Sequence, residues 1–325
     1  MKRRALVLAS AAWFAARVGT AFAQKAKLRR IAFMHPGSEE GLGDLFNTFR
    51  VELKRLGYVE GRDVSIQASW AGGRTDRVPA LVAEVVSGKP DVIVTATSVA
   101  VASFKKATSS IPIVFATAGD PVEQGLVASL QRPGGNITGV LVYSGLTAKV
   151  TEIAREGLPR ATRLAILIHN ADLAYKNELA GFEETARRLK FEPLLVAVSG
   201  PEDLDGAFGE LAKRKADAVI VPQLSMFNSN RKRLIGLALQ AKLPLLSPLV
   251  EFAEEGGLLS YGTSRDENYR RAAALVDKIL RGAKPGDLAI EQPQRFYLVV
   301  NRKTAHAIGA KLAPALNGRA DRVID

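Results

Sequence analysis

The sequence predicts an α/β protein of two similar lobes, each a parallel sheet flanked by helices and joined by more than one crossover. Three observations predict it. Short Val- and Ile-rich runs alternate with amphipathic stretches of helical period, which is the pattern of βαβ units with strands buried on both faces. The second half repeats the first: Pro90-Asp91-Val92-Ile93-Val94 is answered by Ala216-Asp217-Ala218-Val219-Ile220-Val221, and Ile111-Pro112-Ile113-Val114 by Leu243-Pro244-Leu245-Leu246. Finally, 325 residues at 47% hydrophobic content supply enough chain and enough apolar surface for two cores.

The elements follow in order. A strand at Arg30–Met34 precedes a helix near Leu45–Leu56, which Gly57 ends as a C-cap. Strand Val64–Ser69, helix Arg77–Ser87, strand Val92–Thr95 and helix Ala100–Thr108 come next. Strand Ile113–Ala116, a helix near Val122–Leu130 and strand Val140–Tyr143 complete the first half. The second half runs as strand Leu164–Ile168, helix Leu179–Leu189, strand Glu192–Val198, helix Pro201–Arg214, strand Ala218–Val221 and helix Arg231–Ala241. A short strand at Leu245–Pro248, a short helix at Val250–Glu255 and a strand at Leu258–Ser260 follow. Pro112 and Pro244 fit strand starts, where no ladder donor is yet needed. Helix Glu267–Leu280, strand Phe296–Val300 and helix Lys303–Ala310 are too little for a third domain and return to complete the lobes. The expected lobes are residues 28–143 plus about 263–292, and 144–262 plus about 293–320.

The amino terminus reads as an export signal. Lys2, Arg3 and Arg4 precede the uncharged run Leu6–Ala16, and Ala21-Phe22-Ala23 is a small-x-small cleavage site. Arg17 interrupts the run too early for a spanning helix, which needs about 20 apolar residues. The expected address is the periplasm, reached after removal of residues 1–23. The chain has no cysteine, which excludes disulfides, thiolate metal sites, a cysteine nucleophile and lipid attachment at a cysteine.

Net charge is +12, of which Lys2, Arg3, Arg4 and Arg17 lie in the leader. The remaining cations are spread along helices beside acids, as in Glu183-Glu184 before Arg187-Arg188, with no basic run interleaved with aromatics. That reads as a solvated surface and not as a nucleic-acid interface.

In an open parallel sheet, ligands bind beyond the carboxyl ends of the strands, facing helix N-termini that favour anions. This rule selects loops by position alone. From the first lobe it selects His35, Thr97, Ser98, Ala116, Thr117 and Asp120, with Tyr143 at the last strand. From the second it selects His169, Asn170, Gln223, Ser225, Glu251 and Tyr261. Thr97 and Ser98 serve equally as helix caps or as hydroxyls for a ligand carboxylate. Asp120-Pro121 reads first as an N-cap with proline at the first helical position. Tyr143, Tyr175, Phe227 and Tyr261 are candidates to stack on a ligand ring, and Glu251 and Asp172 to pair with a ligand ammonium. His35 and His169 end equivalent strands, but no suitably placed third metal ligand is visible. No metal or cofactor is expected. The G-x-G-x-x-G, P-loop and G-x-S-x-G signatures of common enzyme sites are absent from the sequence, so no catalysis is expected.

Several motifs occur in a telling order. They include Leu56-Gly57-Tyr58-Val59-Glu60-Gly61, Ile111-Pro112-Ile113-Val114-Phe115 and Gly119-Asp120-Pro121-Val122. Arg132-Pro133-Gly134-Gly135-Asn136-Ile137-Thr138-Gly139, Gly256-Gly257-Leu258-Leu259-Ser260-Tyr261-Gly262 and Arg270-Arg271-Ala272-Ala273 follow, then Lys278-Ile279-Leu280-Arg281-Gly282. This ordered set resembles the substrate-binding proteins of ABC transporters, in particular the TrpX-like family that binds tryptophan or tyrosine. The resemblance implies a type I periplasmic-binding fold: two Rossmann-like lobes, three crossovers and closure on a ligand. It implies an aromatic amino acid or similar small molecule as ligand and a permease of the inner membrane as partner; a monomer is expected. By the same resemblance, Thr97, Ser98 and the 116–118 stretch hold the ligand's polar end. The His169-Asn170-Ala171-Asp172 and Pro222-Gln223-Leu224-Ser225 loops depart from that family's pattern, so the resemblance does not by itself specify the ligand.

Overall fold

The computed structural model describes residues 28–142, 146–169 and 176–325. The leader, Tyr143, Asn170, Asp172 and Tyr175 lie outside the described residues.

Two sheets organise the chain. The first has the order β2-β1-β3-β4-β5, from β1 (Arg29–His35), β2 (Val64–Trp70), β3 (Val92–Thr95), β4 (Ile113–Ala118) and β5 (Ile137–Leu141). Every pairing in it is parallel. Its strands read as continuous apolar runs because both faces are covered. Residues 31 and 33 of β1, with 92 and 94 of β3, pack under helix α1 (Glu39–Arg55) and helix α10 (Arg265–Leu280). The alternate residues 32, 34, 93, 113 and 115 pack under α2 (Val78–Ser87) and α3 (Ser98–Ala107), as the two-residue period of a strand requires.

The second sheet has the order β12-β11-β10-β9-β8-β6-β7. Its strands are β6 (Arg163–His169), β7 (Glu192–Val198), β8 (Ala218–Ile220), β9 (Leu245–Leu249), β10 (Leu259–Thr263), β11 (Tyr297–Asn301) and β12 (Arg322–Ile324). The sheet is mainly parallel, with one exception. Strand β11 runs antiparallel to β10, because the chain re-enters this sheet from the first one at about residue 292 and not through a helical crossover from β10. Strand β12 and helix α12 (Pro314–Arg319) lie beyond the predicted elements and extend the second body past residue 320. The flanking helices are α4 (Leu146–Gly157), α5 (Lys176–Arg188), α6 (Leu204–Lys213), α7 (Ser225–Ser229), α8 (Arg231–Gln240), α9 (Val250–Glu254) and α11 (Arg302–Ile308). Helix α4 is also absent from the predicted elements, although buried Leu146, Val150, Ile153, Ala154 and Gly157 repeat at helical spacing.

The chain passes between the sheets three times. One passage falls between β5 and α4, and residue 264 leads from β10 to α10. Helix α10 belongs to the first body: it packs on α1 and β4, and Tyr58 Oη bonds Asp277 Oδ1 at 2.9 Å. The segment after α10 stays with the first sheet, where Glu291 N–H donates to Gly139 O and Glu291 O accepts from Leu141 N–H. It then crosses back to β11.

The predicted helix near Val122–Leu130 does not form. Leu126 N–H closes on Pro121 O at 2.7 Å and Gly125 N–H on Val122 O at 2.9 Å, so a single turn ends at Gly125, whose φ of 65° terminates it. Asp120 therefore caps a lone turn: Oδ1 accepts from Val122 N–H at 2.8 Å and Glu123 N–H at 3.3 Å.

Candidate functional site

The carboxyl ends of the two sheets face each other. Just past β1, Ser38 N–H donates to Ser229 Oγ at 3.2 Å, and Ser229 ends α7 just past β8. Ser38 also caps α1 through its own hydroxyl, which accepts from Gly41 N–H. A Cβ at Gly41 would stand 2.4 Å from Ser229 O and 2.5 Å from its Cα, so only glycine lets α1 approach α7 this closely.

Thr97 is the strained point of the first sheet's edge. Its φ of 67° and ψ of 146° lie in a region that L-residues rarely enter. Its N–H donates to Thr117 O at 2.6 Å, which pins the turn and starts α3 at Ser98. Thr97 gives α3 no side-chain cap, and Ser98 Oγ instead accepts from Gly119 N–H at 3.2 Å. The expected capping role is thus replaced by a tie between two loop tips. Thr95 lies on the α3 side of the sheet with residue 93; it is buried, and its Oγ1 has no hydrogen-bond partner.

His35 ends β1 beneath α10. Its Nδ1 accepts from Gly37 N–H at 2.8 Å, so the remaining proton sits on Nε2, and its ring lies 5.8 Å from that of Trp70. Burial lowers its pKa to about 3, aided by the Arg265 guanidinium, and the imidazole is neutral at physiological pH. His169, at the equivalent strand end of the second sheet, binds Ser199 O through Nε2 at 3.1 Å. The two histidines serve separate local networks.

Other expected residues are distributed differently. Ala116 is fully buried in the first core with Val114 and Val140, so its methyl is a core group. Phe227 is likewise a core residue of the second body. Thr117 is half-buried at the edge, as are Gln223 and Ser225, with Ser225 opening α7. Tyr261 sits within β10 and stacks on Phe296, ring centroids 6.0 Å apart and 12° from parallel, so that ring face is taken by a crossover residue. Glu251 has a protein partner in place of a ligand ammonium: Oε1 accepts from Arg265 N–H at 3.0 Å, and Oε2 lies 3.5 Å from Arg265 Nε.

That last contact exposes what sequence reasoning missed. Thr263, Arg265, Asn268 and Tyr269 are buried at the second crossover, and Thr263 Oγ1, Arg265 Nε, Asn268 Nδ2 and Tyr269 Oη make no hydrogen bond. Arg265 stands between the two edges, next to Glu251 of α9 and close enough to His35 to depress its pKa. The available signal was Ser264-Arg265-Asp266-Glu267, a capping-box pattern. Ser264 Oγ indeed accepts from Glu267 N–H at 3.4 Å. Reading it would have started the helix at Arg265.

Among the described residues no group of three or more His, Asp or Glu could hold a metal ion, and no helix is long and apolar enough to cross a membrane.

Comparison with known proteins agrees with this architecture. A protein of Vibrio cholerae described as a conserved domain protein superposes with a TM-score of 0.82 at 24% identity, covering 91% of this chain and 100% of that one. The ABC domain of Streptococcus pneumoniae in complex with L-Trp gives a TM-score of 0.80 at 22% identity, over 92% of this chain and 100% of that one. The ligand-free, open structure of a substrate-binding protein from Clostridium difficile gives 0.63 at 20% identity, over 91% and 99%. In sequence, the tyrosine-binding protein of Clostridioides difficile (strain R20291) is 24% identical over 265 residues, which span 82% of this chain and 76% of that protein. These folds are type I periplasmic binding folds, and proteins of this kind bind substrates without being enzymes. Residues 30–324 match the family described as ABC transporter substrate binding protein; with its two facing sheets and three crossovers, the chain belongs to that family.

Proposed function

We propose that the protein is the solute-binding component of an ABC importer, exported by its leader to the periplasm, where it captures a small organic carboxylate in the gap between two lobes. The lobes are 28–143 plus about 263–292, and 144–262 plus about 293–320 extended through β12. The observation that carries this reading is the pairing of the two carboxyl edges. They are tied at Ser38–Ser229 and at Arg265–Glu251, and α3 begins at Ser98, shortly after the buried Thr95 with its unpartnered hydroxyl. A helix N-terminus with an unused hydroxyl suits a carboxylate. A further finding supports the reading. The relatives include a tyrosine-binding protein and a structure in complex with L-Trp, which points to an aromatic amino acid or a related acid.

A permease of the inner membrane is the partner this role requires, with the binding protein acting as a monomer. A sensor subunit of the same fold that docks on a receptor is the alternative role. Reconstituted transport with the permease separates the two.

The test is a thermal-shift screen of L-tryptophan, L-tyrosine, L-phenylalanine and their deaminated acids. A ligand at 100 times its dissociation constant adds about 2.7 kcal/mol of stability. The double variant Thr97→Ala, Ser98→Ala is expected to fold and to bind the best hit more weakly. Unchanged affinity removes both residues from the site, and a mature protein found in the cytosol overturns the role.

A further inference from the structure

Four buried polar atoms without hydrogen-bond partners fall within seven residues, on Thr263, Arg265, Asn268 and Tyr269. Such a cluster is costly, because each unmade bond forfeits about 1–3 kcal/mol, and native interiors satisfy nearly all such groups. Burial is nearly complete: Arg265 is 4% exposed, Asn268 2% and Tyr269 1%. None of the three is needed to start α10, which Ser264 caps. The cluster lies on the opposite face of the first sheet from the α3 N-terminus. The Tyr269 ring is 6.1 Å from that of Phe33, among the residues under α1 and α10, whereas Thr95 lies on the α3 side. The groups are chiefly donors: a guanidinium N–H, a carboxamide NH₂ and a phenol, beside the Thr263 hydroxyl. Burial holds the Tyr269 phenol protonated by raising its pKa. Glu251 Oε2 lies 3.5 Å from Arg265 Nε, which leaves the Asn268 and Tyr269 donors free to donate to an oxygen.

We propose that Arg265, Asn268 and Tyr269 form a second, donor-lined end of the ligand site, so that the ligand is an acid carrying another oxygen acceptor at its far end. This rests on the reading that the gap between the sheets binds the ligand. The far-end group is a phenol, carbonyl or carboxylate oxygen. Because these residues begin immediately after the crossover at 264, filling that end also joins the ligand to the chain segment that links the lobes.

The experiment has two arms on the full mature chain. In the unliganded protein, Asn268→Leu and Tyr269→Phe are each expected to leave the melting temperature unchanged or raise it, since each removes an unsatisfied buried group at similar volume. A fall of several degrees in either identifies a structural bond and overturns the assignment. In titration calorimetry, matched acids differing only at the far end are compared: L-tyrosine with L-phenylalanine, and glutarate with valerate. In at least one pair, the member with the far oxygen is expected to bind roughly tenfold tighter, and Asn268→Leu is expected to erase that advantage. Equal binding within both pairs, or an advantage that survives Asn268→Leu, overturns this proposal alone. If no acid shifts the wild-type melting point, the proposed ligand class fails with it.

Discussion

Ser38 and Ser229 join the two sheets' loops, the backbone N–H of one donating to the hydroxyl of the other at 3.2 Å. They follow β1 and β8, the strands that end the two facing edges. The bond depends on Gly41, where a side chain would strike Ser229 backbone atoms. Gly41→Val is therefore expected to hold α1 away from α7 and favour an open form. Small-angle scattering should report a larger radius of gyration than the wild type, with unchanged circular dichroism. Identical scattering would show that the approach is dispensable.

Thr97 holds a backbone conformation that suits glycine. Thr97→Gly should relieve strain worth about 1–3 kcal/mol, partly offset by the greater freedom of glycine in the unfolded chain. The expected net result in urea unfolding is a gain of about 1 kcal/mol. A loss would mean that the Thr97 side chain contributes more than its backbone costs.

His35 makes stability depend on acid. Its folded pKa of about 3 lies below the ordinary value of 6.5, so the unfolded chain takes up a proton that the folded one refuses. The resulting stability is complete above about pH 6.5 and is lost as pH falls toward 3, at up to about 1.4 kcal/mol per pH unit. His35→Asn keeps an acceptor for Gly37 N–H and does not titrate. Its unfolding curve should be flatter than the wild type's between pH 6 and 4, with Trp70 fluorescence as the probe beside the ring.

Among the described residues, four helices are followed by a lysine with positive φ: Lys89 at 47°, Lys190 at 61°, Lys215 at 55° and Lys242 at 50°. After the last three, the next residue closes a six-residue ring, as Phe191 N–H does on Ala186 O, Ala216 on Leu211 and Leu243 on Ala238. Glycine is the usual residue at this position, and Gly57 occupies it after α1 with φ of 100°. Replacing each lysine by glycine should add about 0.5–1 kcal/mol, approximately additively because the sites are far apart. Differential scanning calorimetry on the single and quadruple variants checks this.

The strand order of residues along the chain was legible because burial on both faces writes continuous apolar runs. The paired motifs at Pro90–Val94 and Ala216–Val221 became β3 and β8, each pairing beside the first strand of its sheet. Gly57 was legible as a helix end because its chemistry is local. The turn at Asp120 was not, since one hydrogen bond from Leu126 to Pro121 decides between a turn and a helix. Ala116 was misplaced because a strand-end position does not say which face its methyl takes. Arg265, Asn268 and Tyr269 were missed because a polar residue at a helix start looks solvent-facing in sequence.

By itself, the sequence determined the local alternation of strand and helix, the two-fold likeness of the halves and the polar residues at strand ends. Those features depend on neighbours within a few positions. Which polar residues converge was decided by tertiary structure alone. Arg265 comes to lie beside Glu251 and near His35, 230 positions away along the chain, because three crossovers bring two separately wound sheets edge to edge.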